Sequence, residues 1–256
     1  MNIVVCMRYS KVIKGDIDFT NKKSIDFSAY KSHVNEWDLY ALEEALKIKG
    51  GKSGKVSLIT LGDENSKEAL FYGMAAGADE AIFIPVDEDI IWDNFRIAYI
   101  ISKVLKDYPY SLILTGIQGE DDASGEVGAS LAYLLSIPHA TAITSIESIN
   151  DDKIEVIGEL EEEFTQRLKL KIPAVLTIQS GINQPRYVST MRIRRAKKQT
   201  KIITKEIDIS DIPFRKKIIE FSSPVKEGRK VEWISGNNPS QKAENLLSQL
   251  KEKGVL

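Results

Sequence analysis

The segment with the clearest chemical capacity is Gly116-Ile117-Gln118-Gly119-Glu120-Asp121-Asp122-Ala123-Ser124-Gly125. The apolar run Leu112-Ile113-Leu114-Thr115 before it reads as a buried strand, and Val127 to Leu135 after it shows helical spacing. A strand, a glycine-rich turn and a helix start in direct succession leave several backbone N–H groups without intrahelical partners, and the helix dipole adds partial positive charge. Such a junction suits a phosphate. Gly116, Gly119 and Gly125 let the main chain come close to a ligand. Every strand-to-helix turn of an α/β domain has this outline, so the loop alone leaves a plain connection equally open.

Other chemistries find little support. Cys6 is the single cysteine, which excludes an internal disulfide framework and a multi-thiolate metal site. The two histidines, His33 and His139, are too few for a histidine-rich zinc centre and weaken any histidine-based triad. The acidic run Glu159 to Glu163 reads as a solvated strand face, with a contact to a partner or cofactor as the other reading. Arg192, Arg194, Arg195, Lys197 and Lys198 form a dense basic patch that reads as a solvated helix end. With a net charge of -2 over 256 residues, one such patch makes a poor case for nucleic acid.

The elements that must position the loop follow from hydrophobic periodicity. The N-terminal run Met1 to Met7 reads as a first strand, too short for the apolar region of a signal sequence. Asn35 is the natural N-cap of a helix running through Leu39, Leu42, Ala45 and Leu46 to Gly50-Gly51, with Asp38 well placed in its dipole. Val56 to Leu61, Glu80 to Ile84 and Leu112 to Thr115 are further strands, joined by helices at Ser66 to Ala76 and Asp93 to Lys106. This alternation predicts an α/β fold with a parallel, doubly wound, Rossmann-like sheet. After Pro138 the strand-like segments Thr141 to Ile149, Ile154 to Leu160, Phe164 to Ile172 and Ala174 to Ile178 are expected to form an antiparallel addition. From Thr204 to Asn238 periodicity fades, and Gln241 to Lys251 is a terminal amphipathic helix. The expected division is an α/β nucleotide-binding domain over 1–201 and an extended C-terminal arm over 202–256. No run reaches the ~18 apolar residues that span a bilayer, so a soluble, cytoplasmic protein is expected.

Several segments together resemble one family, the beta subunit of electron transfer flavoprotein. Leu170-x-x-Pro173-Ala174-Val175-x-Thr177, Asn183-x-Pro185-Arg186-Tyr187 and Ala196-Lys197-Lys198 carry the resemblance most specifically. Asn35-x-x-Asp38, the turn Ala75 to Ala81, and Gly116-x-Gln118-x-x-Asp121 with Val127-Gly128 support it. The resemblance implies a heterodimer whose alpha subunit carries the redox-active FAD, with the beta subunit shielding the flavin and docking dehydrogenases. It implies an electron carrier without catalytic residues of its own. It also implies AMP in the beta subunit, or a second FAD in electron-bifurcating members. The family's nucleotide site falls on Cys6, Asn35, Glu36, Trp37, Asp38, Leu61, Gly116, Gln118, Gly119, Asp121, Ser124, Gly125, Glu126 and Val127. Its partner-binding loop falls on Arg186, Tyr187, Thr190, Met191, Arg192, Arg194 and Arg195.

On physical grounds Ser124 and the N–H groups of Gly125 to Val127 would hold the phosphate, and Asn35 or Asp38 would bind ribose or adenine. Where the family often repeats aspartate, threonine and glutamine, this chain has Ala123, Ser124 and Glu126. Ile117 stands where bifurcating members tend to have arginine, which favours AMP over FAD because a second phosphate would lack a cation. Thr190 stands in the register of the family's leucine anchor, with three arginines following, and points to an acidic redox partner in place of the usual dehydrogenases. A flavin-free nucleotide-binding regulatory protein of similar topology, active as a homodimer, is the alternative from another class.

Overall fold

In the computed structural model the described residues are all except 14–29, 51–52, 88–89, 91–92, 211, 213–215, 217–218 and 223–230. Gly51 and parts of the C-terminal arm therefore lie outside the described residues. The chain divides into two compact units, Met1–Glu220 and Phe221–Leu256.

The first unit is built on β1 (Ile3–Cys6), β4 (Val56–Gly62), β5 (Glu80–Pro85) and β6 (Leu112–Gly116). With β7 (His139–Ile149), β8 (Lys153–Glu159), β9 (Thr165–Lys171), β10 (Ala174–Ile178) and β11 (Ile202–Thr204) they form one sheet, ordered β11-β5-β4-β1-β6-β10-β7-β8-β9. Pairings from β11 through β10 to β7 are parallel, and β7–β8 and β8–β9 are antiparallel. Strand order turns back at β1: β4 and β5 lie on one side of it and β6 on the other. Such a reversal opens a crevice at the carboxyl ends of the strands.

Alternate residues of the central strands face opposite cores, as the two-residue period requires. Ile3 and Val5 pack with Leu58, Phe83, Leu112 and Leu114, whereas Val4 and Cys6 pack with Ile59, Ile82, Ile113 and Val175. Each fully buried branched side chain contributes about 1.5–3 kcal/mol. On the first face lie α1 (Glu36–Lys49) and α2 (Lys67–Ala76), and on the second α3 (Asn94–Leu105) and α4 (Val127–Leu135). Gly73 sits so close to β4 that a Cβ would stand 2.4 Å from the Leu58 side chain, so α2 reaches the sheet only through glycine.

Two expectations change, and one feature is new. The run Ala174 to Ile178 lies in the parallel part of the sheet, between β6 and β7, and is buried along its whole length. Burial on both faces is what an unbroken apolar run means in a parallel strand. A separate hairpin, β2 (Tyr9–Ile13) with β3 (Tyr30–Val34), stands beside the site and was not legible in the sequence. Residues 202–204, expected to open the arm, extend the main sheet as β11 along β5. The basic patch forms α5 (Thr190–Gln199), capped by the Ser189 side chain and packed against the core through Ile193 and Ala196. The second unit contains α6 (Pro239–Glu252), started by Asn238 and Pro239 at its first turn.

Candidate functional site

At the carboxyl ends of β1, β4 and β6 a cleft encloses about 690 Å³, part of it open to solvent. Cys6, Met7, Ile59, Leu61, Ile97 and Ile101 give it apolar lining, and Gly116 to Gly119 with Ser124 to Gly128 line it from the loop and the start of α4. The first hydrogen bond of α4 runs from Ser130 N to Glu126 O, so the N–H groups of Val127, Gly128 and Ala129 have no intrahelical acceptor. Gly125 is left-handed at φ 64°, a conformation glycine adopts freely, and turns the chain into that helix.

Two residues from the start of α1 hold the loop in shape. The Asn35 side chain makes no helix cap; its amide donates to Gln118 O at 2.9 Å and its oxygen accepts from Glu120 N at 3.1 Å. Asp38 accepts from Arg8 N at 2.7 Å and from Gly116 N at 2.9 Å. Both side chains thus frame the loop through its main-chain groups while also lining the cleft. Burial raises the Asp38 pKa to about 6, against the pull of those hydrogen bonds and of the Arg8 charge. Burial, and then the Asp38 charge, raises the Cys6 thiol far above its ordinary range, so Cys6 packs as a small apolar group.

Gly116 is where loop and helix meet: a Cβ there would stand 2.6 Å from both Asp38 Oδ1 and Trp37 Cβ. Trp37 and Glu36 flank the cleft without lining it. The Glu36 N–H donates to Glu120 Oε1 at 2.9 Å, and His33 Nε2 lies 2.5 Å from Glu120 Oε2. Asp121 also lies behind the lining, bound by Arg8 through Nε at 3.2 Å and Nη2 at 2.9 Å. Leu61, Gln118, Gly119, Ser124, Gly125, Glu126 and Val127 all line the cleft, and Glu126 pairs with Lys216.

A family model described as "Electron transfer flavoprotein domain" matches residues 25–209. Over 229 residues the chain is 33% identical to the electron transfer flavoprotein subunit beta of Bacillus subtilis, covering 86% of each chain. It is 32% identical over 216 residues to the subunit of the same name from Methylophilus methylotrophus, covering 83% of this chain and 81% of that one. The chain belongs to the electron transfer flavoprotein beta-subunit family. A third relative is Protein FixA of Azotobacter vinelandii, 31% identical over 159 residues, or 60% of this chain and 57% of that one. Membership makes it a component of flavoprotein electron transport. No helix among the described residues is long and apolar enough to cross a membrane.

Sequence reasoning missed two polar residues of this cleft, Arg8 and Asn94. Arg8, two positions beyond β1, reaches Asp121, then Asp122 Oδ2 at 3.2 Å and Asn94 Oδ1 at 3.4 Å. Asn94, at the start of α3, donates to Asp122 Oδ2 at 2.9 Å and to Ser124 Oγ. The available signal was position: each stands just past a strand end or at a helix start on the edge of the sheet where the loop lies.

The residues expected to dock a partner divide into two sets. Arg186 grips Glu43 of α1 bidentately, at 2.7 and 2.9 Å, and also donates to Ala76 O at 3.2 Å. Its guanidinium therefore ties the loop to the domain, and its contact drives the Glu43 carboxyl below its ordinary range. Tyr187 and Met191 are 85% and 80% exposed, and Thr190, Arg192, Arg194 and Arg195 are exposed beside them. On α5, Met191, Arg194, Arg195 and Lys198 share the face turned from Ile193 and Ala196, giving an apolar spot ringed by cations.

Proposed function

We propose that this chain seats AMP in the cleft and pairs with a flavin-bearing alpha subunit to shuttle electrons from a dehydrogenase to an acceptor in the cytoplasm. The observation that carries this reading is the mixed lining of the cleft. Its apolar residues Ile59, Leu61, Ile97 and Ile101 fit a purine, and the N–H groups without intrahelical acceptors at the start of α4 fit a phosphate. Arg8 is the one cationic residue lining the cleft among the described residues, and both sides of its guanidinium are held by Asp121 and Asp122. Ile117 offers no charge. A second phosphate would gain no free cation, which supports AMP over a second FAD.

FAD held by the alpha subunit supplies the redox step. This chain contributes binding and docking: Tyr187, Thr190, Met191, Arg192, Arg194 and Arg195 meet the redox partner, whose surface the charge of α5 requires to be acidic. The exposed Val231, Trp233, Leu246 and Leu247 of the second unit meet the alpha subunit.

Co-expression with a candidate alpha subunit, followed by mass analysis of nucleotide released on denaturation, tests the reading. One AMP and one FAD per heterodimer is the expected result. Two FAD, or a stable homodimer without flavin, would overturn it.

A further inference from the structure

We infer that Asn94 is a positioning residue of the phosphate site, whose side-chain amide leaves the Ser124 hydroxyl proton free for an anion. The inference rests on the adenylate reading above and concerns how the loop is made ready for it.

The orientation of the Asn94 amide follows from its neighbours. Arg8 can only donate, and its Nη1 lies 3.4 Å from one amide atom, which must therefore be the oxygen. Asp122 Oδ2 accepts from Arg8 Nη1 at 3.2 Å and lies 2.9 Å from the other amide atom, which must be the nitrogen. With its ends assigned in this way, Asn94 donates its remaining N–H to Ser124 Oγ. A hydroxyl that accepts in this manner still has its own proton to give. Among the described residues no group accepts that proton, and Ser124 is exposed on the cleft wall beside Gly125.

Asn94 is not needed for the helix it begins. The Asp93 side chain already caps α3 by accepting from Arg96 N at 3.2 Å. Asn94 is only 2% exposed, yet among the described residues its side chain bonds only to Arg8 and to the loop. Asp122 contributes from the other side, accepting Ser124 N at 3.1 Å and so fixing the backbone that carries the hydroxyl. Arg8 offsets the charge that Asp122 would otherwise present to a phosphate.

The test compares AMP with adenosine on the full chain, by calorimetry, for wild type, Asn94→Ala, Ser124→Ala and the double variant. A hydrogen bond to a charged group supports roughly tenfold in affinity. Each single variant should lose about that factor for AMP and nothing for adenosine, and the double variant should be no weaker than either. Equal losses for AMP and adenosine would reduce Asn94 to a structural prop and overturn the inference. Additive losses would show that it does not act through Ser124, and unchanged AMP affinity in both single variants would likewise overturn it. A wild type that does not prefer AMP to adenosine would instead overturn the adenylate reading itself.

Discussion

Replacing Asp38 by asparagine isolates the cost of placing a charge beneath the glycine-rich loop. The carboxyl is buried at the junction of β1, β6 and α1, and its pKa stands at about 6 against an ordinary 3.8. A carboxyl raised in the native state binds its proton more tightly there than in the unfolded chain. Its stabilising contribution is therefore complete below the unfolded value and is lost as pH rises through the native one. A rise of about two units corresponds to about 3 kcal/mol in all. Roughly half of that loss should fall between about pH 5 and pH 7.5, where denaturant unfolding is practicable. Asparagine does not titrate, but it sets an NH2 group against one of the two N–H donors that Asp38 accepts, from Arg8 and Gly116. Asp38→Asn should thus shift the whole stability curve and also change its slope, and only the slope reports the charge. Urea unfolding of both proteins across this range should show wild type losing ~1.4 kcal/mol relative to the variant as pH rises. Parallel curves would refute the argument that burial governs this carboxyl.

Arg186→Ala should destabilise by about 1–2 kcal/mol, less than a fully buried pair because the arginine is partly exposed. Glu43 is held low by that arginine, so its contribution is present above the ordinary glutamate range and lost as pH falls; the wild-type and variant unfolding curves should converge in acid. Gly128→Ala would place a Cβ 2.3 Å from Thr177 Cγ2, costing about 1–3 kcal/mol in Tm measurements, and Thr177→Ser should restore much of it by removing that methyl. Arg194→Glu with Arg195→Glu should slow electron transfer with an acidic partner about tenfold at low ionic strength, the difference closing in high salt. A salt-independent defect would remove electrostatics from the docking argument.

The parallel half of the sheet was legible because its strands are apolar runs, and β4 and β6 are each closed by a glycine turn and followed by a segment of helical spacing. The same rule misassigned β10, although Ala174-Val175-Leu176-Thr177-Ile178 lacks the alternation of a half-exposed antiparallel strand. The hairpin of β2 and β3 was missed because Tyr9-Ser-Lys-Val-Ile and Tyr30-Lys-Ser-His-Val carry no short turn signal between them. Asn35 was readable as the residue before a helix. Its use was not, since the preference of asparagine for that position rests on capping, and here the side chain serves a loop 83 and 85 positions away. Arg8 and Asn94 were invisible for a related reason. Neither belongs to a local pattern, and Arg8 finds Asp122 only 114 positions along the chain.

The acidity of the loop, which at first argues against an anion site, is resolved by where each carboxylate is held. Glu120 is drawn to His33 and the Glu36 N–H, Asp121 to Arg8, and Asp122 to Arg8, Asn94 and the Ser124 N–H. Three side chains that would repel a phosphate become anchors that stretch the loop between the β2–β3 hairpin, β1 and α3. What the loop then offers along Gly125 to Gly128 is main-chain N–H groups and the end of the α4 dipole, whose partial charges do not depend on pH. An anion bound in this way exchanges few counterions, so its affinity should respond to added salt far less than binding by a cluster of lysines or arginines would.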